Sequence, residues 1–407
     1  MTWAATRLDA IASIQTGPFG SQLHQEDYVE VGTPIITVEH LGGYRITREN
    51  LPMVSEDDAE RLRKYSLLPG DVVFSRVGSV DQSSFVTGDE EGWLFSGRCL
   101  RVRPHLDEVD PMFVYYALNT SEVKSFITAI AVGATMPSIN TALLSEVQIP
   151  SPPIAQQRRI SSILGSLDDK IAANNEVKRL TDEMIQSLWR KLINEDSSFM
   201  EFGDVVQLNP RTTARRGSRL TTIEMKNLPE SGFSVDTWTV REAKGGSRYR
   251  NGDTLLARIT PCFENGKCGY VDFLEPEEVG AGSTEFIVLR PRAGVPTAAP
   301  YAIARSPEFR TFAAQTMTGT SGRQRVQPRD LETHEIAWPS EDLIADFEAK
   351  TSPLLDLAGK LRDENRNLAK TRDELLPLLM SGKITVKEAE QEATAAGADI
   401  ASEENKA

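Results

Sequence analysis

The sequence predicts an α+β protein in which two globular mixed α/β domains are joined by two long helices that pair as an antiparallel coiled coil. Three observations support this fold class. A helical pattern without proline runs from Ile154 to Ile193, a second long helical pattern ends before Ser381, and the segment before each helix carries the same landmarks in the same order. Landmarks repeated in this way indicate a tandem duplication, that is, a pseudo-two-fold internal repeat.

The central helix follows Pro152 and Pro153, and proline is tolerated in the first turn of a helix but not inside it. Its apolar residues first recur at the 4-3-4 spacing of a coiled-coil seam, at Ile160, Leu164, Leu167 and Ile171. Beyond Asn174 the predicted seam continues at Val177, Leu180, Met184, Leu188 and Leu192. At about 1.5 Å per residue such a helix reaches roughly 60 Å, which is too long for one face of a small domain.

The distal helix repeats the alternating spacing at Leu354, Ala358, Leu361, Asn365, Leu368, Arg372, Leu375 and Leu379. The polar seam residues Asn365 and Arg372 cost stability but tend to fix register and partner. An ordinary helical bundle is the alternative, and the absence of a third predicted helix of similar length disfavours it.

The repeat is clearest at two landmarks. The segment Gly70–Arg76 recurs as Gly252–Arg258, and Arg103-Pro104 recurs as Arg290-Pro291. The predicted domains are therefore residues 1–151 and 196–340, and the helices are residues 152–195 and 341–383. Residues 384–407 are rich in Glu and Ala without a sustained seam, so we expect a frayed helix that passes into disorder.

Composition narrows the class of protein. No apolar run is long enough to span a membrane and no signal-peptide pattern begins the chain, so a cytoplasmic protein is expected. Three cysteines and four histidines support neither a disulfide framework nor a zinc site. The net charge is −14, yet residues 201–340 carry 15 of their 18 positive charges as arginine, which suits contacts to phosphate and guanine.

Two stretches of the helices carry a family resemblance. Residues 153–174, with Gln156-Gln157-Arg158-Arg159, resemble the central conserved region of the DNA-specificity (S) subunits of Type I restriction–modification systems. Residues 364–384 are similar to the distal conserved region, although the second helix entry, residues 338–344, lacks the Gln-Gln-Arg-Arg stretch. The start of the second helix is therefore open.

The resemblance implies a non-catalytic subunit that recognises a bipartite DNA target with two target-recognition domains. It also implies that the chain docks two methyltransferase subunits and, through them, restriction subunits. S-adenosylmethionine, ATP and Mg²⁺ are then expected on the partner subunits, and no cofactor is expected on this chain.

No catalytic motif of the chain is complete. The segment Asn209-Pro210-Arg211-Thr212 departs from the adenine methyltransferase motif at both later positions. Neither Gly382-Lys383 nor Gly266-Lys267 has the upstream glycine of a phosphate-binding loop. We therefore expect no catalytic residue and no metal site.

Candidate DNA contacts lie in loops of small hydroxyl residues, where the backbone can approach phosphates and arginines can reach a groove. In the second domain the candidates are Arg211, Arg215, Arg216, Arg219, Arg258, Arg323, Gln324 and Arg325. In the first domain they are Gln22, Arg76 and Asn140.

The alternatives are a solvated loop for each arginine-rich loop and a structural salt bridge for Arg76 and Arg258. For the whole chain, a coiled-coil protein-interaction scaffold without specific DNA binding is the rival function. A fusion to an enzyme is a second rival, which the incomplete motifs disfavour.

Overall fold

The computed structural model describes residues 3–19, 22–194, 197–215, 217–242 and 245–400, except for the side chain of Gln25. The chain forms two compact units. Unit 1 consists of Met1–Ala172 with Asn367–Ala407, and unit 2 consists of Ala173–Arg366. Each unit contains β-sheets and part of each long helix, which confirms the prediction of a mixed fold with two sheet-containing domains.

The strands, in chain order, are β1 Ala5–Arg7, β2 Ala12–Thr16, β3 Tyr28–Val29, β4 Thr33–Ile36, β5 Met53–Val54, β6 Val72–Ser75, β7 Ser83–Phe85, β8 Leu94–Phe95, β9 Cys99–Pro104, β10 Gln148–Pro150, β11 Ser198–Glu201, β12 Val206–Leu208, β13 Arg219–Ile223, β14 Thr239–Glu242, β15 Arg248–Tyr249, β16 Thr254–Ala257, β17 Cys268–Tyr270, β18 Gly280–Gly282, β19 Phe286–Pro291 and β20 Glu335–Trp338. The α-helices are α1 Leu8–Ile11, α2 Glu56–Arg61, α3 Pro111–Leu118, α4 Ser121–Ile130, α5 Thr141–Ser145, α6 Ile154–Leu192, α7 Phe202–Val205, α8 Ala299–Arg305, α9 Pro307–Gln315, α10 Pro328–Glu332, α11 Glu341–Ser381 and α12 Val386–Ala395.

The two units share the strand order of one four-stranded sheet and differ in that of the other. Unit 1 has a four-stranded sheet in the order β2-β9-β6-β7, and unit 2 has its equivalent in β12-β19-β16-β17. Each also has a second four-stranded sheet with one parallel pair, β4-β8 in unit 1 and β13-β18 in unit 2. A two-stranded sheet joins the first and last strands of each domain, β1-β10 and β11-β20.

Strands β6 and β16, which lie inside the two sheets of shared strand order, are buried on both faces. Their successive side chains point to opposite sides of the sheet. In β6, Val72 and Phe74 pack into the cluster that includes the long helices, whereas Val73 packs into the cluster of the second sheet. In β16, Leu256 and Leu255 divide in the same way.

The repeated landmarks are held together by an ion pair in each unit. Arg103 donates two hydrogen bonds of 2.7 Å to Asp71. Arg290 likewise donates to Asp253 at 2.7 and 2.6 Å. Both carboxylates are buried, and a buried carboxylate needs such a partner. The Gly-Asp and Arg-Pro landmarks therefore recur because they form one structural contact.

In unit 1, the first part of α6 and the last part of α11 pack together. The seam residues Ile160, Leu164 and Leu167 of α6 are buried in one cluster with Leu368, Leu375 and Leu379 of α11, and Ile171 is partly buried against it. Asp168, which is 3% exposed, pairs with Arg372 and accepts a hydrogen bond of 2.7 Å from the hydroxyl of Tyr116.

In unit 2 the remaining parts of the two helices meet. The amide of Asn174 donates to Asn365 at 2.8 Å, and further along α6 the ring of Trp189 contacts Phe347 with centroids 5.3 Å apart. Residues nearer the end of α6 therefore contact residues nearer the start of α11. Ala358 is buried and Leu354 packs against the same cluster, while Leu361 is half-buried.

The predicted seam beyond Asn174 is wrong at its first three residues, whereas Leu188 and Leu192 pack in the core cluster of unit 2. Val177, Leu180 and Met184 are 39%, 49% and 52% exposed. The face that is buried instead carries Lys178, Thr181, Ile185 and Trp189. Lys178 can lie there because its ammonium group donates to both carboxylate oxygens of Asp236 at 2.7 and 2.8 Å.

The tail contains the predicted helix, α12, but up to residue 400 this helix is capped and packed and not frayed. Helix α12 begins with a capping box, in which the hydroxyl of Thr385 accepts from the amide of Glu388. Val386, Ala389 and Ala393 lie on one face and are buried in the main core of unit 1. Small side chains allow this close packing, although their weak hydrophobicity gives little signal in the sequence.

No helix among the described residues is long and apolar enough to cross a membrane.

Candidate nucleic-acid interface

In unit 2 the candidate site is centred on Arg258, which directly follows strand β16. Its backbone amide donates to the carbonyl of Glu285 at 2.9 Å, and its Nη2 donates to Oε1 of Gln327 at 3.0 Å. Within the described residues it forms no ion pair, so the structural salt bridge considered from the sequence is not the role of this arginine.

A recess of 380 Å³ opens beside Arg258. Arg211 and Arg248 also line it, together with the hydroxyl residues Thr212, Ser247 and Thr284, and none of the described lining residues is acidic. Arg248 is fixed at the rim because its Nη1 donates to the carbonyls of Gly245, Gly246 and Ser247 at 2.8–3.3 Å.

The segment that carries Arg211 is anchored to the sheet. Asn209 adopts a left-handed conformation with φ of 46°, and its side-chain oxygen accepts from the amide of Val288 at 3.0 Å. Arg290 also donates to the hydroxyl of Thr212 at 3.2 Å. The backbone on both sides of Arg211 is therefore held against the sheet, and its exposed side chain lines the recess.

The second arginine-containing loop meets the same region. Residue 325 pairs with Ile259, directly after Arg258, in an isolated β-bridge. The guanidinium of Arg325 is bound to the carboxylate of Glu285 at 2.8 Å, and this pairing holds the pKa of Glu285 below its usual range despite partial burial. Arg323 is exposed, and the carbonyl of Gln324 accepts from the amide of Thr260 at 3.0 Å.

The remaining candidates of unit 2 lie elsewhere. Arg219 begins β13 in the other sheet, where its Nη2 donates to the carbonyl of Val240 at 3.1 Å. Arg215 is exposed and is not among the residues that line the recess. Arg216 lies outside the described residues. Thus Arg211 and Arg258 line one recess, Arg325 pairs with the residue that follows Arg258, and Arg215 and Arg219 do not join them.

In unit 1 the equivalent arginine, Arg76, follows β6. Its guanidinium lies 4.6 Å from the ring centroid of Phe19, and its Nη1 donates to the carbonyl of Gly97 at 3.1 Å. It has no ion pair within the described part of the chain. A recess of 620 Å³ is lined by Arg76, Arg98 and Phe19, and its lining also includes Glu39 and His40.

The other two candidates of unit 1 have structural partners. Asn140 caps α5, because its side-chain oxygen accepts from the amide of Leu143 at 2.9 Å. The side-chain oxygen of Gln22 accepts from the hydroxyl of Tyr65 at 2.7 Å. These bonds give both side chains a role in the fold, which the sequence did not indicate.

Comparison with known proteins identifies the first part of the chain. Residues 1–180 match the family model of the Type I restriction modification DNA specificity domain. Residues 1–180 belong to this family. The family predicted from the helix motifs is therefore confirmed.

The similarity to specificity subunits extends further along the chain. The putative Type I restriction enzyme MjaX specificity subunit of Methanocaldococcus jannaschii is 22% identical over 397 residues, covering 88% of each protein. The EcoAI specificity subunit of Escherichia coli is 29% identical over 153 residues, which are 36% of this chain and 25% of that protein. The crystal structure of a Type I system S subunit from M. genitalium has the same fold, with a TM-score of 0.55 at 14% identity, over 93% of this chain and 96% of that one.

Each unit also has site residues that the sequence analysis missed. Counting five residues back from the two Arg-Pro landmarks gives Arg98 and Glu285, and the structure places them equivalently. The amide of Arg76 donates to the carbonyl of Arg98, as that of Arg258 does to Glu285. The repeat alignment could have found this pair, whereas Arg248 follows a glycine turn that has no counterpart in the repeat.

The same comparison pairs Ser138 with Arg325. Each bridges to the residue after the key arginine, Ser138 to Val77 and Arg325 to Ile259. Unit 1 therefore has an exposed arginine and a serine where unit 2 has a glutamate and the arginine it binds. The two sites thus present different charges at equivalent positions.

Proposed function

We propose that this chain is the non-catalytic DNA-recognition and scaffold subunit of a Type I restriction–modification complex. Each unit holds one target-recognition domain, and the two domains read the two parts of a bipartite target. One observation carries the proposal: in both units an arginine after the same strand opens onto a recess lined by a further arginine. Arginine is the residue best suited to bidentate contacts with phosphate and with guanine.

We further propose that α6 and α11 form an antiparallel coiled coil and that the chain arose by duplication of a domain-plus-helix segment. The contacts of Asp168 with Arg372, of Asn174 with Asn365 and of Trp189 with Phe347 support opposite helix directions. The shared strand order of the two large sheets supports the duplication. In this proposal, helix length determines the spacing between the half-sites.

Two methyltransferase subunits are the proposed partners, with restriction subunits bound through them. Val177, Leu180 and Met184 favour a docking surface on α6, because they form an exposed apolar stripe at helical spacing. Such a stripe suits a helix of a partner that buries its own apolar face. S-adenosylmethionine, ATP and Mg²⁺ belong to these partners, and the complex is cytoplasmic.

Mapping of methylated adenines in the host genome, with and without this gene, tests the function. We expect methylation at one bipartite sequence to disappear when the gene is deleted and to return when it is restored. Unchanged methylation would contradict the proposal. The purified chain alone should neither methylate nor cleave DNA, and methyl transfer by the homogeneous chain would also contradict it.

The rival function is a protein-interaction scaffold without specific DNA binding. The two functions differ in a competition experiment in which the chain, with its methyltransferase subunits, is offered a labelled target duplex. A specificity subunit is displaced only by duplexes that carry both half-sites at the correct spacing. Equal displacement by random duplexes would favour the rival.

A further inference from the structure

The recess beside Arg258 combines three arginines with three hydroxyl residues, and the part of the chain that the structure describes contributes no acidic residue to its lining. Its counterpart in unit 1 differs, because Glu39 and His40 share that lining with Arg76 and Arg98. The unit 2 recess is thus the more cationic of the two, and we call it the Arg258 recess.

One donor in the Arg258 recess lacks an acceptor. The Nε atom of Arg258 is buried and has no hydrogen-bond partner in the described part of the protein, while Nη2 of the same side chain is bonded to Gln327. Buried polar groups in folded proteins almost always have a partner, so an orphaned donor calls for an explanation. Because this atom is closed off from solvent, a ligand oxygen in the recess supplies the missing acceptor once the Arg258 side chain turns toward it.

The other two guanidinium groups are available for the same ligand. Arg248 is held at the rim by bonds from a single nitrogen, Nη1, to backbone carbonyls. Arg211 forms no side-chain hydrogen bond or ion pair among the described residues, and it is exposed. Arginines with neighbouring hydroxyl groups are the donors that most often contact the oxygens of a DNA phosphate.

We propose that the Arg258 recess binds one phosphate group of the DNA backbone and thereby fixes the position of unit 2 on the duplex, without reading a base. The DNA source of the phosphate rests on the proposed function, whereas the affinity for a phosphate group does not. Reading of a guanine needs one planar guanidinium fork on one base edge. Three guanidinium groups around one recess instead suit an anion with several acceptor oxygens.

The first experiment measures binding of inorganic phosphate to the full chain by calorimetry at low salt. We expect Arg211→Ala to weaken binding about tenfold and Arg211→Glu to abolish it, since one charge-assisted hydrogen bond is lost and then a repulsive charge is added. Arg215→Ala is the matched control, because Arg215 is exposed in the same loop but does not line the recess. It should bind phosphate as the unaltered chain does.

The absence of phosphate binding to the unaltered chain would overturn the proposal. Equal losses for the Arg211→Ala and Arg215→Ala variants would also overturn it, since that result indicates an adventitious ion only. Thermal unfolding of each variant checks that its fold is intact.

The second experiment measures DNA affinity against salt concentration, with the methyltransferase subunits present. Arg211→Ala should weaken binding to target and random duplexes by the same factor. It should also reduce the slope of log K against log salt concentration by about one. A loss confined to the target duplex would make Arg211 a base reader and overturn the phosphate assignment. If the unaltered chain binds phosphate but prefers no DNA sequence, the proposed function fails and the phosphate site stands.

Discussion

Glu285 binds Arg325 through three hydrogen bonds, two from Nε at 3.0 and 2.9 Å and one from Nη2 at 2.8 Å. The carboxylate thus holds the arginine in one orientation beside Arg258. An arginine fixed in advance loses less side-chain entropy when it contacts a base edge.

Arg325→Ala should therefore weaken binding to the target duplex by about 1–3 kcal/mol and leave binding to random duplexes nearly unchanged. Arg323→Ala should behave in the same way if that side chain also reads a base. Arg219→Ala serves as the control, because Arg219 begins a strand of the other sheet. Affinities for both duplexes at one salt concentration decide the matter, and equal losses would assign Arg325 to a phosphate.

The Glu285–Arg325 pair should persist in mild acid. The hydrogen bonds from Arg325 hold the pKa of Glu285 below its ordinary value of 4.5, although partial burial opposes this. A carboxylate whose pKa is lowered on folding stabilises the folded state at every pH above its pKa in the unfolded chain. This stabilisation is lost as the pH falls through its pKa in the folded chain. Discrimination between target and random duplexes should thus be constant from about pH 8 to about pH 5. A decline in this range that Glu285→Gln abolishes would contradict this assignment.

Asp168 and Asp169 offer a matched test of the helix contacts in unit 1. Asp168 is buried between Arg372 and Tyr116, whereas Asp169 is 53% exposed in its pair with Arg45. Asp168→Asn should lower the free energy of unfolding by about 1–3 kcal/mol, because it removes the buried carboxylate that binds Arg372 and the hydroxyl of Tyr116, while Arg372 keeps its pair with Asp373. Asp169→Asn should cost less than about 1 kcal/mol. Urea unfolding measures both, and similar losses would show that the buried pair contributes little.

Leu180→Glu should prevent association with the methyltransferase subunits while leaving the fold intact. The substitution puts a charge into the centre of the exposed stripe formed by Val177, Leu180 and Met184. Val31→Glu is the control, since Val31 is 87% exposed in unit 1 and lies far from the stripe in sequence. Co-purification and analytical ultracentrifugation report the assembly. Undiminished assembly of the Leu180 variant would remove the stripe from the proposed interface.

Insertion of four residues between Ala172 and Ala173 should lengthen the spacer of the DNA target. The insertion extends α6 by about 6 Å, close to two base pairs of B-DNA rise, and nearly preserves the seam. Methylation mapping with the partner subunits should then find the same half-sites further apart. A constant spacer with altered half-sites would show that the helices do not set the spacing.

The sequence predicted the parts of the fold that depend on local spacing and on repeated contacts. The ion pair between Asp71 and Arg103 explains the Gly-Asp and Arg-Pro landmarks of the repeat. Ile160, Leu164 and Leu167 are buried at seam positions. The prediction from sequence failed where a residue distant in the chain determines whether a side chain is buried. Lys178 is buried only because Asp236 reaches it, and no local pattern announces that contact.

The candidate site was predictable to a similar extent. The repeat in the sequence aligned Arg76 with Arg258, and the structure places them at equivalent positions. The role of Glu285 could not be foreseen from sequence, since an acidic residue gives no indication of DNA contact until the arginine that it orients is known. Asn140 stays a predicted contact residue, and its side chain also caps α5, a role that the same chemistry serves equally well.

Unit 1 is built from two separate stretches of the chain, and this affects how the protein folds as it is synthesised. Unit 2 is one continuous stretch, whereas the core of unit 1 joins Ile160 and Leu164 to residues beyond Asn367, including Val386 and Ala389 of α12. At roughly 5–20 residues per second, the ribosome needs about 10 to 50 seconds to pass from residue 172 to the end of the printed sequence. Unit 2 can therefore fold first, although its sequence comes second. Until translation reaches α12, the nascent first domain exposes apolar surface that a chaperone could bind.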